Sequence, residues 1–305
     1  LDLRQLETFL EVCKYKSFSK AADKLFITQP TVTSHIQNLE KELGTVLINR
    51  TGKNMTLTQT GNILFKYALD IINTCEMAKF DLNSYRGKIN GHLDISSSSV
   101  PRQYLLPKIL KEFISIYPDV TFSLKDKDSK QVIKSILSWE TDFGIVGAMY
   151  PSNNLEYIEL MEDRLLLVTA NNENFPYNNF ETLESDILFK ENFIFREKGS
   201  GTRELLEKAL KANNISSSSL KILAYIEDTE TIKNLISLGA GVSFLSERTV
   251  NDKYSLERFK VFNVKNLNLS RKFYFVYHNN RQLSPLSETF KDFVLKHTKI
   301  KNQAE

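Results

Sequence analysis

The chain has 305 residues, 41% of them hydrophobic and 25% charged, with a net charge of +3. It is too long for one ordinary core, and its composition is that of a globular protein rather than a disordered or membrane one. No apolar run reaches membrane-spanning length, no signal-peptide pattern is present, and two cysteines in separate helical stretches (Cys13, Cys75) imply no disulfide framework. Four scattered histidines argue against a metal site, so the expectation is a cytoplasmic protein without a cofactor. Residues 1–90 hold 12 Lys+Arg against 9 Asp+Glu, and the remainder 28 of each, so the whole positive excess lies in the N-terminal part.

Leu3 to Lys16 puts Leu3, Leu6, Leu10 and Cys13 on one helical face, with Phe9 and Val12 beside it. Ser17 to Gly44 then reads as two short helices joined by a tight turn. The first, around Ser19 to Leu25, offers Ala21 and Ala22 for close approach. In the second, Thr28 is the N-cap and Pro30 lies in the first turn, where its missing N–H costs nothing. Val32, Ile36, Leu39 and Leu43 form one stripe predicted to be buried, and Gly44 stops the helix. The other face carries Gln29, Pro30, Thr33, Ser34 and Gln37, polar and free of carboxylates, as a helix entering a major groove requires. Any helical hairpin has a polar face, and the pattern becomes a helix-turn-helix only through its context.

That context follows. Val46–Asn49 and Met55–Thr58 are β-prone runs flanking a basic turn with Arg50 and Lys53, a two-stranded wing able to reach a DNA backbone. From Gln59 to Arg86 a long helix is predicted. Its positions Leu64, Ala68, Ile71, Cys75, Ala78, Leu82 and Tyr85 alternate four and three apart, a heptad seam better suited to pairing with a second copy than to packing on a small domain. A hinge is expected at Arg86-Gly87. Strands and helices alternate thereafter, from Gly91–Ser96 to Pro285–His297, predicting α/β folding with largely parallel sheets in two lobes around a cleft. Ligands in such folds bind beyond strand carboxyl ends, near helix N-termini.

Two stretches fit that placement. Ser96–Ser99, with Gln103, follows a strand and precedes a helix; Arg196–Arg203, REKGSGTR, does the same in the second lobe. Hydroxyls, backbone N–H groups and glycines at helix starts favour an anion. Taken singly, each stretch is also ordinary turn and cap chemistry. The candidate effector contacts are Ser98, Ser99, Gln103, Gly147, Arg196, Ser200, Gly201, Thr202 and Thr229.

The residues Ala21-Ala22, Gln29-Pro30, Val32-Thr33, Leu39-Glu40, Leu43-Gly44, Leu57-Thr58, Tyr104-Leu105-Leu106-Pro107, Asp142-Phe143-Gly144-Ile145-Val146 and Gly239-Ala240-Gly241 resemble the LysR-type bacterial transcriptional regulators over nearly the whole chain. The resemblance implies a winged helix-turn-helix (1–58), a linker helix that dimerises (59–87), and a two-lobed effector domain like periplasmic binding proteins (91–305, second lobe about 164–268). It implies Gln29, Pro30, Thr31, Thr33, Ser34, Arg50 and Lys53 as DNA contacts, and a dimer seam of Leu64, Ala68, Ile71, Cys75, Ala78 and Leu82. Many members carry a basic residue where this chain has Ser34. The partners expected are double-stranded operator DNA, a small anion such as a sulfur oxyanion or acidic metabolite, further copies of the chain as a homodimer or homotetramer, and RNA polymerase if it activates; no membrane partner is expected. An enzyme is the first rival, but Ser200 lies in GSG rather than G-x-S-x-G and no P-loop lysine is present. A transport solute-binding protein, the second, leaves the helix-turn-helix unexplained.

Overall fold

The computed structural model describes residues 1–49, 55–85, 89–173, 175–250, 253–280 and 282–301. Arg50, Lys53 and the Arg86-Gly87 hinge lie outside the described residues. The chain divides into two compact units, Leu1–Ile89 with Ser138–Glu140 and Asn280–Glu288, and Asn90–Leu137 with Thr141–Asn279 and the residues from Thr289 onward. Among the described residues no helix is long and apolar enough to cross a membrane.

In the first unit, α1 (Leu3–Tyr15), α2 (Phe18–Leu25) and α3 (Gln29–Leu43) each begin at a side-chain cap: Asp2, Ser17 and Thr28 accept from Arg4, Lys20 and Thr31 N–H. Gly44 ends α3 in the left-handed conformation at φ 65°, where a Cβ is disfavoured. Leu6, Phe9, Val12, Ala21, Ala22, Val32, Ile36 and Leu39 form the core. Leu43 does not join them. It is the last residue of α3 and is 37% exposed. The wing strands β1 (Ile48–Asn49) and β2 (Thr56–Leu57) pair antiparallel, and Glu40 Oε1 accepts from Leu47 and Ile48 N–H, fixing the wing to α3.

The helix α4 (Gln59–Tyr85) starts with Gly61 pressed on the wing, where a Cβ would come 2.1 Å from the Leu47 carbonyl oxygen. The seam, expected to suit pairing with a second copy better than packing within the chain, is divided. Ala68 is fully buried in the core of the unit, with Leu64, Phe65 and Ile72 packed beside it. The first turns of α4 lie directly on α1, which heptad spacing alone could not reveal.

In the second unit, β3 (Gly91–Ser97) leads through a π-helical turn (Pro101–Leu105) into α5 (Leu106–Ile116). Then come β4 (Val120–Asp126), α6 (Ser129–Leu137), β5 (Phe143–Val146) and the 16-residue β6 (Leu155–Ala170). The second lobe contains β7 (Thr182–Leu183), α7 (Ile187–Lys190), β8 (Asn192–Arg196), α8 (Gly201–Ala212), β9 (Lys221–Ile226), α9 (Thr229–Ser237), β10 (Ser243–Ser246), α10 (Lys253–Arg258) and β11 (Phe259–Val264). The strand β12 (Ser270–His278) and α11 (Pro285–Lys301) return to the first lobe, where Phe290 packs on Phe113 and Phe143.

The sheets are mixed rather than largely parallel. Pairs β3–β4, β3–β5, β8–β9 and β7–β11 are parallel, whereas β6 runs antiparallel to β10, β11 and β12, and β12 antiparallel to β5. The reason lies in β6. Its Leu155–Arg164 half pairs with β12, and its Leu165–Ala170 half with β10 and β11, so one strand serves both lobes. Its side chains alternate between two cores: Leu165 and Leu167 go into one with Leu206 and Leu210 of α8, Leu166 and Val168 into the other with Ile232 and Ile236 of α9.

Candidate functional site

On α3, Gln29, Pro30 and Ser34 are exposed and Thr31 and Thr33 half-exposed. Thr33 Oγ1 donates to the Gln29 carbonyl at 3.1 Å, leaving its lone pairs outward. Gln29 Oε1 accepts from Ser19 Oγ at 3.1 Å, so a residue of α2 orients the side chain at the start of α3. Ser19 was not among the sequence candidates, because its partner is ten residues away across the turn. Along α4, Leu64 and Ala68 turn inward, whereas Ile71 (38%) and Leu82 (65%) are exposed, Ala78 is exposed and Cys75 half-exposed. Ile63 and Tyr67 extend the exposed row and were missed because they lie outside the heptad seam.

The second site is a cavity of about 20 Å³ lined by Ser98, Ser99, Gly147, Asp128, Arg196, Glu197, Ser200, Gly201, Thr202 and Arg271. Seven of the nine sequence-predicted effector contacts meet there. The other two, Gln103 and Thr229, line an adjoining cavity of about 520 Å³ that shares Ser99, Asp128 and Glu197 with the first. The volumes make the smaller space a seat for a water-sized polar group and the larger one room for the body of a metabolite.

Each lining group has an identifiable cause. The end of β3 delivers Ser98, whose Oγ accepts from Gly147 N–H at 3.2 Å at the end of β5. The N-terminus of α8 delivers Ser200, Gly201 and Thr202. Ser200 occupies the N-cap without a side-chain cap bond, and the first turn of α8 packs so closely that a Cβ on Gly201 would lie 3.0 Å from the Ala148 Cβ. Gly199, at φ 102°, takes the chain into α8; its carbonyl accepts from Tyr150 Oη at 3.2 Å. Burial, and then the hydrogen bond to Glu204, raises the Tyr150 phenol well above its ordinary value, so it remains a neutral donor.

The two arginines differ. The buried Arg196 is engaged at all three of its nitrogens. Its Nε and Nη2 grip Glu197 at 2.7 and 2.9 Å, Nη1 donates to Thr229 Oγ1 at 3.2 Å, and Nη2 also reaches Ser99 Oγ of the first lobe at 3.2 Å. Arg271, on β12, donates from Nε to Asp163 Oδ2 at 2.8 Å and from Nη1 to Thr202 Oγ1 at 3.1 Å. Its Nη2 is buried without a partner. Asp163 is the cross-strand neighbour of Arg271, and its second oxygen accepts from Ser246 Oγ at 2.6 Å. Sequence reasoning missed both members of this pair. They lie in unremarkable strand sequence 108 residues apart, and only the β6–β12 register brings them together.

Comparison with known proteins agrees with this architecture. Residues 3–62 match the model of the bacterial regulatory helix-turn-helix proteins of the lysR family, and residues 86–299 that of the LysR substrate binding domain. The HTH-type transcriptional regulator CysL of Bacillus subtilis is 31% identical over 287 residues, covering 94% of this chain and 92% of that protein. The CcmR regulatory domain of Synechocystis PCC6803, in complex with 2-PG, is similar with a TM-score of 0.61 at 26% identity, covering 69% of this chain and 98% of that one. Full-length CbnR complexed with its target DNA shares the fold with a TM-score of 0.57 at 20% identity, covering 97% of this chain and 99% of that one.

The Asp163 and Arg271 side chains are 0% and 7% exposed. Removing one member of such a pair leaves the other charge buried and alone, so Asp163→Ala is expected to lower the stability of this unit by about 3–5 kcal/mol. Urea unfolding followed by circular dichroism measures the change, and a loss below about 1 kcal/mol would show that the pair is not structural.

Proposed function

The chain belongs to the LysR family of transcriptional regulators, DNA-binding proteins with an effector-binding domain and no enzymatic activity, and from that premise we propose that a small anion in the Ser98–Thr202 cavity controls its binding to operator DNA. The observation that carries the reading is the convergence of the β3 serines, Gly147 and the uncapped start of α8 on one small polar space. The ligand of CcmR, 2-phosphoglycolate, is itself an anion, which supports the class of effector without identifying it. The anion favours the conformer in which the lobes are closed on it, and differential affinity for that conformer is what shifts transcription. Calorimetric titration with sulfate, sulfite, small carboxylates and 2-phosphoglycolate tests this. Saturable binding of at least one is expected, and an effector that proves neutral or cationic overturns the anion reading but not the family.

On α3, Gln29, Pro30, Thr31, Thr33 and Ser34 are proposed to meet the DNA, with base edges reached by Gln29 and Thr33. Base contacts specify and phosphate contacts position. Gln29→Ala and Thr33→Ala are therefore expected to weaken binding to the DNA upstream of the gene about tenfold or more, with non-specific binding nearly unchanged. Gel shifts with and without competitor DNA measure both; parental affinity in the variants would remove α3 as the reading helix.

The exposed row Ile71, Ala78 and Leu82, with Ile63 and Tyr67, is proposed to pair two copies of α4 and so to present two recognition helices to a site of approximate two-fold symmetry. Leu64 and Ala68 are no longer part of that surface. Ile71→Asp would bury a charge at the pairing face and is expected to give monomers by light scattering at micromolar concentration. A parent protein that is already monomeric there contradicts the assignment.

A further inference from the structure

We propose that Arg271, rather than Arg196, is the side chain that takes the charge of the effector, and that the group it takes is a monoanionic head such as a carboxylate rather than a dianion. The inference rests on the anion reading above and deepens it. Both arginines line the 20 Å³ cavity, but their hydrogen bonds differ. Arg196 has spent its Nε, Nη1 and Nη2 on Glu197, Thr229 and Ser99, so it holds Ser99 of one lobe to the second lobe and offers a ligand little. The Arg271 side chain is 7% exposed, its Nε and Nη1 fix the guanidinium between Asp163 and Thr202, and its Nη2 is buried without any acceptor. A buried guanidinium N–H without an acceptor is costly and is found where a partner is supplied from elsewhere.

The position of that N–H supplies the second half. Thr202, which fixes Nη1, is the second residue of the 12-residue α8. Ser200 gives no side-chain cap there, and the first N–H known to reach back is that of Glu204, to the Ser200 carbonyl at 3.0 Å. An oxygen seated in the cavity accepts from Arg271 Nη2 and faces the positive end of α8 together. The charge of the head follows from the lining. Two guanidinium groups, Arg196 and Arg271, stand there against three carboxylates, those of Asp128 and Glu197 in the lining and that of Asp163 directly behind Arg271, so the surroundings carry a net negative charge before a ligand enters. A single negative charge is met by the Nη2 donor and the helix end; each further charge adds repulsion from that carboxylate excess, which favours a monoanionic head over a dianion.

The test is calorimetric titration of the full chain at fixed ionic strength with acetate, glycolate and methanesulfonate as monoanions, and with sulfate and 2-phosphoglycolate as probes of higher charge. The parent is expected to bind at least one monoanion at least tenfold more tightly than sulfate. Arg271→Lys keeps the charge beside Asp163 and removes the Nη2 donor, and is expected to weaken that binding tenfold or more. The double variant Arg271→Gln with Asp163→Asn removes both buried charges together, guards against a folding defect in the first variant, and is expected to lose binding equally. Parental affinity in either folded variant overturns the role of Arg271 while leaving the anion reading intact. Tighter binding of sulfate or 2-phosphoglycolate than of every monoanion overturns the charge assignment. A parent that binds none of the five overturns the inference and the anion reading together.

Discussion

The ion pair between Asp163 and Arg271 is the interaction on which the effector unit depends. The two residues face each other across β6 and β12, at the last pair but one before the strands part into different lobes. One residue further on, Arg164 pairs with Ser270, and beyond it β6 belongs to the second lobe. A buried pair of this kind adds little net stability over an apolar equivalent, because desolvating both charges offsets their attraction. What it fixes is a direction. Asp163, held on its other oxygen by Ser246, points the guanidinium along the strand crossing toward Thr202. The position of Arg271 is therefore set by backbone pairing rather than by a loop, and a site built on paired strands keeps its geometry when lobes move.

The first unit obeys a different constraint. Its first three helices are short, and short helices in water are marginal unless their ends and faces are satisfied. Each of α1, α2 and α3 therefore carries a side-chain N-cap, and each ends in a left-handed residue, Lys16, Phe26 or Gly44. With the ends settled locally, the exposed face of α3 is free to carry Gln29, Thr33 and Ser34 without a structural task beyond the bonds from Ser19 and to the Gln29 carbonyl.

What was legible in the sequence follows from the range of the physics. Caps, helix-stopping glycine, and the stripe Val32, Ile36 and Leu39 are local, and they lie where spacing put them. Seven effector candidates converged because strand ends and helix starts meet at one edge of an α/β fold wherever the chain goes between them. Facts of long range were not legible. Strand direction depends on the path of β6 through both lobes, and the burial of Ala68 depends on where α4 leaves the wing. Arg271 and Asp163 show the limit most clearly, since neither has a motif and only the register joins them.

The bonds between the lobes also bear on how a ligand would act. Tyr104 Oη donates to Glu230 at 3.0 Å, Tyr150 Oη to the Gly199 carbonyl, Arg196 to Ser99, and Arg271 to Thr202. These bonds join the lobes through protein groups, so on the reading proposed above an effector need not supply the whole of the closing free energy. It has only to bind this arrangement more tightly than an open one, by the margin required to change the populations. The buried Nη2 of Arg271 is where that margin can arise. Among the described residues this buried N–H has no acceptor. On the reading proposed above, an anion supplies the acceptor that this donor lacks and a neutral apolar molecule does not, so the orphaned donor would make closure selective for the ligand.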